Sequence, residues 1–409
     1  MAKQIKFTVI IPTRERASTL YYSLRTVLEQ DYDDLTIIVS DNFSQDNTKD
    51  IVESFNDSRI QYINTGTRIS MSHNFEFALR HVSEGWVTYL GDDDGMLPGA
   101  LRRIAQVIAE TETSALVSKF ITYFWPKSTD RENQLMIYFS SGYEIRNSKI
   151  WLEKLMNGNA NYYDLPYIYT GGFVDVKLID KARSSSGDFF CSMIPDVYSA
   201  IALSSTIDKY VLLNEPICVN GISSYSTGTA QLGWTENNSP AQQFFSEKNI
   251  PFHPKLGSDR VKSIELLVYE CYLQATHLHN DILKIDMAEQ LGMALARASH
   301  EYRAELTKYC AEVAHKNGID KNIVESFRRK NILNAWVSQF KILYNYWIKL
   351  PLDCTKYLVS NVYDAARLAS VVYQFNNFEK YWRIKHTKNI IILIFSQLLS
   401  RISGLWNKK

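Results

Sequence analysis

Neither sign of charge dominates this sequence: 45 Lys and Arg stand against 44 Asp and Glu, for a formal net charge of +1. That balance excludes a globally basic nucleic-acid binder and implies no polyanionic partner. Cysteine is sparse. The five residues Cys191, Cys218, Cys271, Cys310 and Cys354 lack CxxC spacing, and their odd number argues against a disulfide framework and for a reducing compartment. No run reaches the length of a clean transmembrane helix. The N-terminal "MAKQIKFTVIIPTRE" has a short apolar run ending at Pro12 and no small-residue cleavage site, so it reads as a first strand rather than a signal peptide. Near that strand there is neither GxGxxG nor GxxxxGK(S/T), so neither a dinucleotide fingerprint nor a phosphate-cradling loop is available.

What is present is a long chain with a large apolar share. The 409 residues are 45% hydrophobic and 13% aromatic, more than one domain usually needs, and two domains are expected. Strand patterns at Phe7–Ile11, Leu35–Ser40, Ile60–Ile63, Trp86–Leu90 and Ala115–Ile121 alternate with helix patterns. The first helix is predicted from a Ser18 cap to Glu29, the second from Asp46 or Asn47 through Phe55, the third from Ser72 through "NFEFALRHV". The fourth has Pro98 in its first turn and runs to Ala109. This alternation predicts an α/β, Rossmann-like, mainly parallel sheet with ligands at the carboxyl ends of the strands. The polar clusters fall where that rule wants them: "PTRER", "DNFSQDN", "NTGTR" and "GDDDG" follow strands one to four. Four loops therefore gather on one rim.

The densest of them raises a physical question. Asp92, Asp93 and Asp94 stand side by side in "WVTYLGDDDGMLPG" and repel one another unless something cationic relieves them. Hard carboxylate oxygens select Mg²⁺ or Mn²⁺, which are commonly held by one or two carboxylates plus substrate phosphates. A nucleotide diphosphate is the natural third party. The rival reading is that the acids cap the helix near Pro98, although one Asp suffices for that.

Three motifs in order, "FTVIIPTRERASTLYYSLRTVLEQ", "IIVSDNFSQDNT" and "WVTYLGDDDGMLPGAL", resemble the nucleotide-sugar-binding half of family 2 glycosyltransferases, which have the GT-A fold. The resemblance covers residues 5 to 230. It implies an inverting, metal-dependent transfer of a sugar from a nucleotide donor, UDP first, to a hydroxyl of a glycan or lipid-linked acceptor in surface-polysaccharide synthesis. By the same resemblance Pro12, Thr13, Arg14 and Glu15 wall the nucleotide base and Asp41 meets the uracil edge; Asp41 is also a natural Asx-turn residue. Asp92 corresponds to the acid beside the ribose or metal, Asp93 to the main metal ligand and Asp94 to a residue facing metal or donor sugar. Where the family carries an Arg-Asn pair at the start of a helix, this chain has His73 and Asn74, and Arg68 is the candidate for the missing positive charge at the diphosphate, aided by the helix N-terminus. Gly171 and Gly172, before a strand, suit a close backbone approach to the donor sugar. Asp196, after Pro195 at the opening of a helix, corresponds to the catalytic base; an acid at a helix N-terminus also needs no catalysis to explain it. A sugar nucleotidyltransferase would be expected to show a glycine-rich basic loop after strand one, and an inactive scaffold of the same fold is the other alternative.

Three further segments complete the reading. The aromatics of "NYYDLPYIY" (161–169) are core or a stacking platform for a sugar, and "GISSYSTGTA" (221–230) is a closing loop or an exposed connector. From residue 256 helical spacing replaces strand alternation and continues through the 350s to 370s. The division expected is a catalytic domain at 1–235, a helical domain at 236–388 and an amphipathic helix at 389–409. That last helix carries apolar and polar faces and flanking lysines. It suits an anionic membrane surface, or alternatively packing on the protein or in a homo-oligomer. The expected place is cytoplasmic, peripheral on the inner face of the cell membrane.

Overall fold

The computed structural model describes residues 5–374, apart from 130, 225–246, 258–260, 279–283 and 348. The segment 389–409 and most of the 221–230 loop lie outside the described residues.

Strand β1 (Phe7–Thr13) pairs in parallel with β2 (Leu35–Asp41) on one side and β4 (Trp86–Tyr89) on the other, and β2 pairs with β3 (Ile60–Asn64). Both faces of β1 are covered, which is why its sequence is a continuous apolar run. Phe7, Val9 and Ile11 meet Leu20, Leu24 and Val27 of helix α1 (Ala17–Leu28). Ile10 faces the other way, with Ile38, against Phe75, Ala78 and Leu79 of α3 (Met71–Leu79). Helix α2 (Thr48–Ser54) completes the first alternation.

The triplet does not cap the next helix. Strand β5 (Gly95–Met96) intervenes, and α4 (Ala100–Thr111) starts after Gly99, whose φ of 78° is the left-handed conformation that favours glycine. Strand β6 (Ala115–Phe124) follows, then β7 (Gln134–Ile137), β8 (Tyr143–Asn147), α5 (Ser148–Met156), β9 (Gly172–Asp175), α6 (Val176–Lys181), α7 (Pro195–Thr206) and the long β10 (Lys209–Ile222). Strand β9 lies antiparallel between β4 and β6, whereas β10 runs parallel to β6 and also takes β5 and β8 antiparallel. The α/β sheet of the expected fold class is therefore present, with β9 and the short β5, β7 and β8 set against its main direction.

Helices α8 (Ile264–Gln274), α9 (Met287–Arg297), α10 (Arg303–Lys316) and α11 (Lys321–Trp347) form the expected helical region. Leu266, Cys271, Leu291 and Val313 join the same core as Ile10 and Tyr198. Residues 350–353 are not helical as expected. They form β11 (Leu350–Asp353), which adds to β7, and α12 (Val362–Gln374) then packs on the sheet. Val362, Ala365, Ala366 and Ala369 cover Ile121, Tyr123 and Val219, while the Tyr363 hydroxyl donates to Glu29 at 2.7 Å and stacks under Arg25. No helix among the described residues is long and apolar enough to cross a membrane.

This return of the chain predicts a contrast along one helix. Ala366→Asp places an uncompensated charge in a fully packed layer and is expected to lower unfolding free energy by about 3–5 kcal/mol. Val371→Asp, on the exposed side, is expected to stay within about 0.5 kcal/mol in the same urea titration.

Candidate active site

Register brings the rim together. Thr13 pairs with Asp41 and Asp41 with Asn64, and beyond β4 the Leu90 amide still donates to the Ile10 carbonyl at 2.8 Å. Asp92 thus arrives beside Thr13, whose hydroxyl donates to it at 2.8 Å, and beside Arg16, whose guanidinium donates at 2.9 Å. Burial raises the Asp92 carboxyl, and Arg16 pulls it back without cancelling the rise. Burial opposes the charge on Arg16, yet Asp92 and Asp93 outweigh it and hold the guanidinium protonated. A cation beside the acids is Arg16, in the very loop quoted as "PTRER", a pairing that the sequence pattern did not single out.

The other two acids are anchored elsewhere. The Asp93 carboxylate accepts from the Ser223 hydroxyl at 2.5 Å, and its carbonyl from the Trp125 indole at 2.9 Å. Asp94 accepts from the Gly221 amide at 2.7 Å, the Gly91 amide at 3.2 Å and the Thr170 hydroxyl. Burial and the neighbouring Asp93 push its carboxyl up to about 8. Gly221 is required here, since a Cβ on it would stand 1.8 Å from the Asp93 carbonyl oxygen. The triplet is thus spread between the ends of β1 and β10.

The remaining rim residues are largely engaged with one another. Both Asp41 oxygens accept from the chain: one from the Ser44 amide at 2.9 Å, the other from the Tyr62 hydroxyl at 2.6 Å and the Asn64 amide at 3.0 Å. The Asx-turn role is therefore in place. Glu15 accepts from the Gln45 and Asp46 amides and from Arg68, and Arg14 pairs with Glu247. Pro12 is half-buried at the end of β1. Arg68 pairs with Glu15 at the rim, and among the described residues no hydrogen bond or ion pair joins it to the triplet. Asn74 is buried against Ser40 at 2.8 Å beneath the rim.

The candidate base comes from another element, α7. Asp196 is the second residue of α7, with Pro195 at the first helical position as expected. Burial raises its carboxyl, while the Tyr162 hydroxyl and the Val197 amide donate to it and oppose the rise. The loop ahead of it is pinned twice: Ser72 donates to the Ser192 carbonyl at 2.8 Å, and the Ser192 hydroxyl donates to the buried Glu270 of α8 at 2.6 Å. The aromatic stretch divides. Leu165, Tyr167 and Ile168 are core, whereas Tyr162, Tyr163 and Tyr169 are half-buried and pack against it.

The two glycines make their close approach to the chain itself rather than to open space. A Cβ on Gly172 would lie 1.9 Å from the Tyr167 carbonyl oxygen, and Gly171, at φ 95°, faces Ser118. They close the tight turn that sets Tyr169. The Gly172 amide donates to the Tyr169 carbonyl at 2.6 Å.

As to a metal, among the described residues no three His, Cys, Asp or Glu side chains converge as a ligand group. Asp92 and Asp93 offer hard oxygen donors, which suits a cation completing its shell on phosphate. Asp94 accepts from three donors of the chain and also ties the loop together.

Residues 8–162 match the model of glycosyl transferase family 2. Over this stretch the chain is similar to family 2 glycosyltransferases. Its sequence is also 38% identical over 104 residues to a GalNAc(5)-diNAcBac-PP-undecaprenol beta-1,3-glucosyltransferase of Campylobacter jejuni; the match covers 25% of this chain and 34% of that protein. The chain thus spans about a third of the length of this relative. Among solved structures, Staphylococcus aureus TarS 1-349 in complex with UDP-GlcNAc is 13% identical with a TM-score of 0.46, over 81% of this chain and 89% of that one. Mannosyltransferase PcManGT from Pyrobaculum calidifontis, in complex with GDP-Man and Mn²⁺, is 15% identical with a TM-score of 0.40, over 81% and 88%. Both likenesses are too distant to carry an argument. Within the matched stretch lie the whole acid triplet, Arg16 and Tyr162, whereas Asp196, Gly221 and Ser223 come from beyond it.

The Arg16–Asp92 pair is testable on its own. Arg16→Met leaves a buried carboxylate without its cation and is expected to lower stability by about 3 kcal/mol in urea unfolding, with Arg16→Lys recovering part. A loss under about 0.5 kcal/mol would show that Asp92 does not depend on Arg16.

Proposed function

We propose that this protein is a metal-dependent inverting glycosyltransferase that moves a sugar from a UDP-linked donor to a hydroxyl of a glycan or lipid-linked acceptor in surface-polysaccharide synthesis. The observation that carries this reading is the buried acid triplet at the ends of the parallel strands, joined through Thr170 on Asp94 and Ile168 on Ser199 to the helix that opens with Asp196. The lipid-linked acceptor follows the printed activity of the Campylobacter relative.

In this reading Pro12, Thr13, Arg14, Glu15 and Asp41 flank the nucleotide, with Arg68 and Asn74 beside them. Asp93 and Asp94, with Asp92 beside them, would hold Mn²⁺ or Mg²⁺, which would neutralise charge on the departing diphosphate. Asp196 accepts the proton of the acceptor hydroxyl, whose oxygen forms a bond to the anomeric carbon from the face opposite the diphosphate. The bond from that carbon to the diphosphate oxygen breaks, and its electron pair leaves with the diphosphate. Tyr162 orients the Asp196 carboxylate, and burial makes it a stronger base than an exposed Asp. Work at the inner face of the cell membrane belongs to the same proposal and would rest on the 389–409 segment.

The first test is a thermal-shift panel of nucleotides and UDP-sugars, each with Mn²⁺ and with chelator. A ligand at 100 times its Kd stabilises the folded state by about 2.7 kcal/mol, so a metal-dependent shift with UDP and one UDP-sugar is expected. No shift with any nucleotide would overturn the reading in favour of an inactive scaffold.

Asp196 gives a second prediction. Asp196→Asn is expected to lower transfer by about 10²–10⁴-fold with UDP affinity unchanged. Because the base works deprotonated and its carboxyl is raised, the acid limb of the wild-type kcat/KM profile is expected above the usual carboxylate range. Full activity in the variant would place the base elsewhere.

A further inference from the structure

Tyr169 occupies the space that the proposed mechanism leaves unassigned. Tyr169 stands between Ile168, whose amide donates at 3.1 Å to Ser199 one turn beyond Asp196 in α7, and Thr170, whose hydroxyl donates to Asp94; the charges of the triplet, Asp196 and Arg16 all act on its phenol. The hydroxyl lies 2.7 Å from the position a Cβ on Gly91 would take, so the ring reaches to the backbone just ahead of the triplet. Its placement is rigid. The ring stacks on Phe75 at 6.3 Å and 23°, Phe75 stacks in turn on Tyr89 at 4.5 Å, and the Gly171–Gly172 turn fixes the backbone. Yet the structure shows no hydrogen bond to its hydroxyl among the described residues. Tyr162 and Tyr167, in the same stretch, both have partners: Asp196 and the Thr170 carbonyl at 2.8 Å.

A half-buried phenol that is locked in place near four carboxylates, with no hydrogen-bond partner among the described residues, is a donor open to a ligand. In a single displacement the anomeric carbon must lie between the attacking hydroxyl and the leaving diphosphate. The triplet defines the diphosphate end and Asp196 the acceptor end, so a group between them faces the transferred sugar and not the nucleotide. We propose that the Tyr169 hydroxyl donates a hydrogen bond to the sugar unit of the donor and helps select and orient it for transfer. This rests on the reading of the site as a nucleotide-sugar transferase. Gly91 belongs to the same device, since any side chain there would displace the hydroxyl.

The experiment compares wild-type protein and Tyr169→Phe, which keeps the ring on Phe75 and removes only the hydroxyl. Each is titrated by calorimetry with UDP, UDP-glucose and UDP-N-acetylglucosamine in Mn²⁺, and donor turnover is measured for the sugar nucleotide that wild type binds best. The expected result is unchanged UDP affinity, about 5- to 10-fold weaker binding of that sugar nucleotide, and a drop in kcat of about tenfold or more. Equal weakening of UDP and sugar nucleotide would reveal a role at the nucleotide or in the fold and overturn the assignment. So would unchanged affinities and turnover. If wild type binds none of the three, the donor reading itself fails and the assignment falls with it; if wild type binds them and only the variant comparison is flat, the donor reading stands and Tyr169 is excluded.

Discussion

Three carboxylates in sequence, all buried, form the constraint around which this domain is arranged. Desolvation raises the free energy of each charge, and mutual repulsion adds to it, so each acid must find a donor set of its own. Asp92 finds it in Thr13 and Arg16 at the end of β1, Asp93 in Ser223 after β10, and Asp94 in Gly221, Gly91 and Thr170. The acids therefore work as a staple between the two halves of the sheet. Removing the turn that carries Thr170, or the end of β10, would leave buried charge behind, and this couples the stability of the fold to the integrity of its rim.

Much of that rim was legible before any coordinates. Strands β1 to β4 are apolar runs between helices with a single buried face, and the polar loops that follow them lie together because parallel strands end on the same side. The triplet, the rim loops and the helix opening at Asp196 follow from that pattern. Contacts between distant parts of the chain were not legible. Ser223 reaches Asp93 across 130 positions and Gly221 reaches Asp94 across 127, and no local periodicity encodes such a meeting. Arg16 shows the same limit: three adjacent acids call for a cation, and only the turn before α1 shows that Arg16 reaches Asp92 across 76 positions. The strand β11 was hidden for a related reason. Four residues with a proline, flanked by helical patterns, carry too little alternation to stand out, and only an open edge at β7 makes them a strand.

The helical region also has a part in the chemistry. Glu270 of α8 accepts from the Ser192 hydroxyl and the His253 amide, and Ser192 lies four residues before Asp196. Burial raises the Glu270 carboxyl, with Ser192 and Gln274 opposing the rise. The base is thus held from two directions: α3 through Ser72 and the helical region through Glu270. A loop carrying a base must be fixed closely if the proton is to move within hydrogen-bond reach. The helices beyond β10 supply that rigidity, which a loop resting on the sheet alone would lack.

Burial raises the carboxyls of Asp92, Asp94 and Asp196 alike, and what differs is the set of donors around each. Arg16 and Thr13 oppose the rise at Asp92, the Gly221 and Gly91 amides and Thr170 at Asp94, and Tyr162 with the first amides of α7 at Asp196. The proton affinity of each acid is thus set by its surroundings and not by residue type. Tyr169, between Ile168 on Ser199 and Thr170 on Asp94, stands where these surroundings meet.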